Sequence, residues 1–296
     1  DDYRAILMDV FRARTLGGRI KPWLKLRPHH FKPKLPGVVE PRTKLSMGES
    51  TEITAKEFEV TREHQDQLAL ASHLKAAAAY DAGFYDDLIV PFRGVSEDNN
   101  IRRDTTYEIL AKLKPVFDRS GEGTMTAGNS TPLTDGAGAV LLASEDWARA
   151  KNLPVSAWLT FCKVAAVNFI SIDGLLMAPV YAVSDMLKDA KLELQDFDFY
   201  EIHEAFAAQT IATMKAWQSP EFCRDRLGRQ QAMGSIDLAK LNVKGGSLAI
   251  GHPFAATGAR VVSTMAKLLS EKGSGRGLVS VCTAGGMGVT AIMEAA

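Results

Sequence analysis

The sequence predicts an α/β fold, because apolar strands and helices alternate through the second half of the chain. Three segments show the same order, in which an apolar strand leads into a loop of small residues. They are FDFYEI before HEAFAAQTIATMKAW, SLAIGHPFAATG before ARVVSTMAKLL, and GLVSVC before TAGGMG and the alternating strand VTAIME. Strands interleaved with helices are typical of layered α/β domains, and the lack of a short-period repeat argues against a solenoid.

Composition narrows the classes of protein to which the chain can belong. Hydrophobic residues make up 46% of the 296 residues and charged residues 24%, as in ordinary globular proteins. The net charge is zero, so the chain as a whole lacks the positive charge of a nucleic-acid-binding protein. The three cysteines lie far apart, which argues against a disulfide framework and a C-x-x-C metal site and favours a reducing compartment.

The first fifty residues differ from the rest in charge. Eleven Lys or Arg against five Asp or Glu give this segment a charge of +6 within a neutral protein. A solvated surface arm explains this charge. This is the simpler explanation, and the alternative is a contact surface for an anionic membrane, a partner subunit or an acidic ligand.

The middle of the chain shows one clear helix followed by less regular segments. Thr61 is placed to cap a helix within 54–81, whose buried stripe would consist of Leu68, Ala71, Leu74 and Ala78. EDNNIRRDTT indicates a loop, and GTMTAGNSTPLTDGAGAVLLAS predicts buried strands around a tight bend. Ser144 is predicted to cap the next helix, and Val261, Met265, Leu268 and Leu269 are predicted to form the buried face of a later one.

Three polar residues follow the three predicted strands of the second half: His203, His252 and Cys282. Ligands usually bind at this edge of α/β sheets, and loops of small residues let a ligand approach the backbone. Each residue alone is also compatible with a structural role. A metal site would need more ligands, and the phosphate-binding pattern G-x-x-x-x-G-K-S/T is absent. The combination therefore predicts acid–base or nucleophilic chemistry by thiol and imidazole groups.

Five motifs resemble those of the thiolase family, in the same order and spacing. VKGGSLAIGHPFAATGAR (243–260) resembles the signature around the family's catalytic histidine, and CTAGGMGVTAIME resembles its C-terminal C-x-G-G-G-x-G motif. HEAFAAQ (203–209) resembles the N-E-A-F-A box, and GTMTAGNSTPLTDGAGAVLL (123–142) and SMGESTE (46–52) also match. The likeness is greatest to the branch with His in place of Asn, as in the β subunits of fatty-acid oxidation complexes.

The resemblance implies the layered α/β/α/β/α thiolase fold, truncated at its N-terminal side and carrying a loop domain. It implies that residues 1–120 form the loop domain that covers the CoA site. Residues 121–154 would complete the N-terminal thiolase domain, and residues 155–296 would form the C-terminal thiolase domain.

The resemblance also implies a reaction, the thiolytic cleavage of a 3-ketoacyl-CoA by CoA to acetyl-CoA and a shortened acyl-CoA. Cys282 would be the acid and base, His252 would activate the nucleophile, and His203 would support an oxyanion site. The backbone N–H of Ala284, where the family usually has Gly, would be an oxyanion donor. The nucleophilic cysteine is expected upstream of this sequence, so the chain alone is expected to be inactive.

Five further residues match family positions near the substrate. They are expected to contact the pantetheine arm or the acyl chain: Ser130, Thr131, Phe206, Phe254 and Met47. CoA and acyl-CoA are substrates, so no cofactor and no metal are expected.

The implied partners are a second copy of the chain in a homo-oligomer and the α subunit of a β-oxidation complex, with no nucleic acid. Peripheral membrane contact would come through residues 1–50. The bacterial cytoplasm is the expected location, with the mitochondrion as the alternative. Two other functions stay open, a non-catalytic acyl-CoA-binding relative and a biosynthetic acetoacetyl-CoA thiolase. The His of HEAF argues against the second of these.

Overall fold

The computed structural model describes residues 2–31 and 39–296. The chain divides into two compact units, Asp1–Val38 and Val39–Ala296. Among the described residues, no helix has the length and apolar character needed to cross a membrane.

The first unit is built from short helices. Its elements are α1 (Asp2–Arg12), α2 (Leu16–Ile20) and 3-10 turns at Lys21–Lys25 and Pro28–Phe31. Thr15 caps α2 by accepting a hydrogen bond from the backbone of Gly18. Most of its large apolar side chains are exposed, including Phe11 at 84%, Leu16 at 78% and Leu24 at 73%.

The second unit begins with helices and ends with a sheet. Its helices are α3 (Met47–Glu57), α4 (Arg62–Asp81), α5 (Tyr107–Ala111), α6 (Glu145–Ala150), α7 (Ala178–Ala190), α8 (Ala207–Gln218), α9 (Pro220–Asp225), α10 (Ser247–Ile250) and α11 (Thr257–Lys272). Its strands are β1 (Ala157–Ala166), β2 (Phe199–Ile202), β3 (Arg276–Thr283) and β4 (Met287–Ala295). They form one sheet in the order β1-β4-β3-β2, in which β2 and β3 are parallel and β4 is antiparallel to both of its neighbours. The predicted α/β class is confirmed.

Different helices cover the two faces of the sheet. On β3, Leu278 and Cys282 pack in one core cluster with residues of α7, such as Val183. Val279 lies between them in sequence and packs in another cluster with Met265 of α11. This alternation follows from the two-residue period of a strand. The predicted face of α11 is confirmed, because all four of its members are buried: Val261, Met265, Leu268 and Leu269.

The prediction for α4 is correct for its start and wrong for its buried face. Thr61 caps the helix by accepting from the backbone N–H of His64. In the predicted apolar stripe, Leu68 and Ala71 are half-buried, whereas Leu74 and Ala78 are exposed.

Polar side chains share the buried face of α4 with alanines, because the polar groups find partners elsewhere in the fold. Asp66 is fully buried and accepts hydrogen bonds from Arg62 at 2.6 Å and from Asn129 at 2.9 Å. Ser72 donates to the carboxylate of Glu204 at 2.7 Å. A buried polar group is stable when it is hydrogen-bonded, so helix periodicity alone cannot identify this face.

The segment 123–142 contains no strand, so the prediction of buried strands there is wrong. It makes isolated bridges, such as Ser130 with Phe206, and its last third is exposed, with Leu141 at 75%. A strand needs a neighbouring strand to satisfy its backbone hydrogen-bonding groups, and no strand of the described chain pairs with this segment. Ser144 caps α6 as predicted, and EDNNIRRDTT is a loop as predicted.

Candidate active site

His203 follows directly after β2 and is held against the neighbouring strand. Its backbone N–H donates to the carbonyl of Ser280 on β3 at 2.8 Å. Its side chain is 2% exposed, and its ring Nδ1 lies 2.8 Å from Oγ of Ser247. The predicted position of His203 at a strand end is confirmed.

A helical turn, not a strand, precedes His252, so the strand prediction for SLAI is wrong. This turn is α10, and the buried carboxylate of Glu204 lies at its start. Glu204 accepts from the backbone of Leu248 at 3.2 Å and from the hydroxyl of Ser72 at 2.7 Å. The Ser72 hydroxyl in turn accepts from the backbone of Gly246 at 3.0 Å. These acceptors bind N–H groups that a helix start leaves free, which stabilises the helical turn over a strand.

The turn α10 ends at Gly251, whose φ of 103° is in the region that favours glycine. The backbone N–H of His252 then donates to the carbonyl of Pro132 at 3.1 Å. Its ring Nδ1 lies 2.6 Å from Oγ1 of Thr257, at the start of α11. The ring centroids of His252 and His203 are 4.3 Å apart. The fold therefore brings together two histidines that are distant in sequence.

Both histidines are held in their neutral form near pH 7. Burial lowers the pKa of His203 well below its usual value, and the nearby His252 and the charge of Arg260 lower it further. Burial also lowers the pKa of His252, again with a contribution from Arg260. A neutral imidazole has one donor and one acceptor nitrogen, so each ring can donate one N–H and accept one proton.

Cys282 lies on β3, two residues beyond Ser280, and its side chain is buried. Burial raises the pKa of its thiol to about 12. The shift is away from neutrality, because an apolar site destabilises the thiolate. The protonated thiol is therefore the stable form, which suits a proton donor.

His203 and Cys282 share a small cavity of about 10 Å³ between the sheet and the helices α7 and α8. Its lining also includes Gln209 and Ser280. The imidazole and the thiol thus border one cavity, although His203 follows β2 and Cys282 lies on β3.

The other two cysteines, both in the described part of the chain, lie elsewhere in the fold. Cys162 is exposed on β1. Cys223 is fully buried in α9, and its Sγ lies 3.4 Å from the carbonyl of Trp217. Neither lines the cavity beside His203.

Three of the predicted substrate residues lie close to the HEAF segment. The backbone N–H of Thr131 donates to the carbonyl of Ala205, and its hydroxyl donates to the carbonyl of Ser247 at 2.6 Å. Ser130 forms a backbone bridge with Phe206, and its side chain is buried. Thr131 therefore has a structural contact that ties this segment to α10.

The remaining predicted residues are more scattered. Phe254 is 67% exposed, and its ring centroid lies 5.0 Å from that of His252. Ala284 is exposed at the turn between β3 and β4. Met47 is the first residue of α3 and packs against the main core cluster. Phe254 is thus beside the paired histidines, whereas Met47 has no described contact with them.

Sequence reasoning missed the residues that hold this site in place. They are Ser247, Arg260 and Thr257, which contact the histidine rings or their partners, and Glu204 and Asn242, which bond to each other at 2.6 Å. Asn242 immediately precedes the quoted VKGG motif, and the others lie within quoted motifs. Motif spacing could therefore have marked them, although their contacts could not be read from it. Residues 2–31 and 39–296 contain no group of three or more His, Cys, Asp or Glu that could hold a metal ion.

Comparisons with known proteins agree with these motifs. A family model described as the thiolase N-terminal domain matches residues 29–146, and one described as the thiolase C-terminal domain matches residues 153–295. A 3-ketoacyl-CoA thiolase of Yersinia pestis (strain Pestoides F) is 44% identical over 294 residues. That alignment covers 97% of this chain and 67% of the relative, so the chain spans about two thirds of its length.

Solved structures show the same fold. The acetyl-CoA acetyltransferase of Bacillus anthracis matches with a TM-score of 0.75 and 32% identity, over 92% of this chain and 68% of the other. Human mitochondrial 3-ketoacyl-CoA thiolase in complex with CoA matches with a TM-score of 0.76 and 32% identity, over 91% of this chain and 66% of the other. The predicted thiolase-like fold is confirmed.

Proposed function

The chain belongs to the thiolase family, and from that premise we propose that it carries the acid–base machinery of a 3-ketoacyl-CoA thiolase. The reaction is the cleavage of a 3-ketoacyl-CoA by CoA to acetyl-CoA and an acyl-CoA shortened by two carbons. The observation that supports this most directly is the pairing of two neutral histidines, with ring centroids 4.3 Å apart, where one of them shares a cavity with a protonated thiol.

In the first half of the reaction, a nucleophilic thiolate attacks the 3-keto carbon of the substrate. The bond between C2 and C3 then breaks, the acyl group stays on the nucleophile, and the electron pair forms the enolate of acetyl-CoA. Cys282 donates the proton that C2 takes up, a role that suits a thiol whose pKa is raised.

The two histidines act on the oxygen and on the nucleophile. Negative charge develops on the thioester oxygen of the enolate, and N–H donors fixed in advance stabilise it. His203 supplies one such donor, and His252 supplies a second and accepts the nucleophile's proton. The neutral state of both rings allows these roles, because a protonated imidazole cannot act as a base.

In the second half, the thiol of CoA gives its proton to Cys282 and attacks the acyl group on the nucleophile. The tetrahedral intermediate is stabilised by backbone donors, of which Ala284 is the proposed one. We assign the nucleophilic thiol to a residue outside this sequence, because Cys162 is exposed on β1 and Cys223 is buried against Trp217. No cofactor is needed, since CoA and acyl-CoA supply every reacting atom.

Substrate contacts are assigned to residues near the histidines. Phe254, exposed beside His252, is proposed to line the acyl side of the pocket. Ser130, Thr131, Phe206 and Met47 are proposed to face the pantetheine arm or to shape its walls. The competing proposal is a biosynthetic acetoacetyl-CoA thiolase, which the similarity to an acetyl-CoA acetyltransferase supports. The chain length of the 3-ketoacyl-CoA that the protein accepts distinguishes the two functions.

We further propose that the first unit contacts anionic membranes at their surface. Its exposed Phe11, Leu16 and Leu24 are accompanied by basic residues such as Arg12 and Arg19, and such a combination binds membrane interfaces. Resemblance to β subunits of fatty-acid oxidation complexes supports a homo-oligomer that joins an α subunit. The bacterial relatives favour a bacterial cytoplasmic enzyme over the mitochondrial alternative.

The test is thiolysis by the intact protein with CoA and 3-ketoacyl-CoA substrates of increasing chain length. Loss of the absorbance of the magnesium enolate follows the reaction, and acetyl-CoA is identified as a product. Turnover of long 3-ketoacyl-CoA substrates supports the proposal. Binding of acyl-CoA without turnover would instead support a non-catalytic relative, and turnover of acetoacetyl-CoA alone would support the biosynthetic role.

A further inference from the structure

Two successive hydrogen bonds link Arg260 to the ring of His203 through the hydroxyl of Ser247. Nη2 of Arg260 donates to Oγ of Ser247 at 2.7 Å, and the same Oγ lies 2.8 Å from Nδ1 of His203. Ser247 is fully buried and His203 is 2% exposed. Ser247 thus contacts Nδ1 of His203 directly, and Arg260 contacts it through Ser247.

The direction of these hydrogen bonds follows from the chemistry of the groups. A guanidinium group has donors only, so Oγ of Ser247 must accept from Arg260. The hydroxyl has one hydrogen, and the acceptor within reach is Nδ1 of His203. Directing that hydrogen elsewhere would leave a buried donor unpaired, which is unfavourable. Nδ1 is therefore the acceptor, and the neutral ring carries its hydrogen on Nε2.

We propose that Arg260 and Ser247 are positioning residues that fix His203 as the neutral Nε2–H tautomer, so that its Nε2–H is available as an oxyanion donor. This inference rests on the proposed thiolase function. Neither residue is required to touch the substrate, because each acts through the ring of His203. The other tautomer would present a lone pair at Nε2, and this would repel a developing oxyanion.

The charge of Arg260 supports the same state of the ring. Nε and Nη1 of Arg260 are buried and have no hydrogen-bond partner in the described parts of the chain. The titratable groups near His203 include His252, the thiol of Cys282 at the shared cavity, the adjacent Glu204, and Glu201 two residues earlier on β2. Burial and the charge of Arg260 lower the pKa of His252 as well. Protonating either ring would place a second positive charge near Arg260 in a site of low dielectric, which is unfavourable.

The tautomer can be measured without any turnover. Histidine labelled with ¹⁵N in the intact protein gives long-range ¹H–¹⁵N spectra that distinguish the Nε2–H and Nδ1–H forms. A His203→Gln variant identifies the His203 signals by their loss. We expect a single neutral Nε2–H pattern in the wild type, and a mixture of tautomers in Ser247→Ala.

The kinetic consequences separate the two residues. Ser247→Ala should lower kcat for thiolysis by about twofold to tenfold and change KM by less than about threefold, because kcat falls in proportion to the fraction of molecules that keep the Nε2–H donor. Arg260→Met should also move the acid limb of the kcat profile to higher pH. Arg260→Lys should restore the position of that limb, because it restores the charge.

A contact of the same kind elsewhere in the fold provides the matched control. Nε of Arg229 donates to Oγ of the buried Ser184 on α7 at 2.8 Å. Ser184→Ala and Arg229→Met should leave the His203 spectrum and kcat as in the wild type. The proposal is overturned by an Nδ1–H pattern in the wild type, by an unchanged single tautomer in Ser247→Ala, or by equal kcat losses in both pairs. An Nε2–H pattern without thiolysis would retain the positioning role and reject the proposed function.

Discussion

Asn242 donates a 2.6 Å hydrogen bond from Nδ2 to Oε1 of Glu204, and this pair joins the two segments that carry the proposed catalytic histidines, His203 and His252. Asn242 also bonds the backbone N–H and the carbonyl of Ile202 at the end of β2, each at 2.9 Å. Glu204 bonds the backbone of Leu248 in the turn before His252. The hydrogen bonds of Asn242 and Glu204 therefore fix the distance between the rings of His203 and His252.

Replacing Glu204 with Ala should destabilise the fold strongly. The change leaves three buried donors without their acceptor, namely Ser72, Asn242 and the backbone of Leu248. Each loss costs about 1–3 kcal/mol, so we expect the free energy of unfolding to fall by about 3 kcal/mol or more. Urea denaturation measures this change.

The matched control for this variant is Glu57→Ala, at the exposed end of α3. An exposed glutamate without such contacts should change the free energy of unfolding by no more than about 0.5 kcal/mol. Equal stability of the Glu204 and Glu57 variants would contradict a structural role for the buried carboxylate.

Gly246 lies where a side chain has no room. A Cβ atom there would lie 2.2 Å from Oε2 of Glu204, well inside van der Waals contact. Gly246→Ala should therefore lower the free energy of unfolding by about 1–3 kcal/mol, the usual cost of overpacking. Gly258 in the first turn of α11 has no atom within 4 Å of the corresponding position. Gly258→Ala should be neutral or stabilising, and thermal unfolding of both variants would show whether space decides the difference.

Local periodicity explains why part of the fold could be predicted. Strands β3 and β4 and the buried face of α11 follow from alternating or helical apolar patterns, which need no knowledge of the rest of the chain. The placement of His203 and Cys282 at strand ends follows from the same patterns. The family's motifs added the pairing of the histidines, which no local pattern contains.

The incorrect and missing sequence predictions share one cause, because each depends on a contact between residues that are distant in sequence. SLAI is a short apolar run that fits a strand or a helix, and the carboxylate of Glu204 at its start decides for the helix. Ser72 is buried on α4 because it bonds the same carboxylate, 132 residues away. The link from Arg260 through Ser247 to His203 is likewise a tertiary contact. Sequence reasoning named the proposed reacting groups and missed the groups that hold them.

Glu201 should make the stability of the fold depend on pH. Burial raises its pKa from 4.5 to about 8, although the charge of Arg260 opposes the shift. Between these two values the native state holds a proton that the unfolded chain has released, so the free energy of unfolding should fall as pH rises through this window. The slope should reach at most about 1.4 kcal/mol per pH unit. Above about pH 8 both states have lost the proton, and this contribution becomes constant.

Urea denaturation between pH 5 and about pH 8 tests this prediction. Glu201→Gln should give a flatter dependence than the wild type, because a neutral side chain releases no proton in either state. Glu193→Gln, at an exposed position, serves as the control and should follow the wild-type curve. Identical slopes for the wild type and Glu201→Gln would show that Glu201 is already ionised in the native state.

Cys282→Ser should nearly abolish thiolysis while leaving the fold intact. Burial raises the pKa of the thiol to about 12, which still allows proton transfer to the enolate carbon, whereas a serine hydroxyl is a far weaker acid. Loss of a general acid costs about 100-fold to 10,000-fold in kcat, and acyl-CoA binding should stay near the wild-type value. Cys162→Ser, on the exposed side of β1, is the matched control and should keep full activity. A kcat for Cys282→Ser within about threefold of the wild type would reject Cys282 as the proton donor, because general acid catalysis predicts a far larger loss.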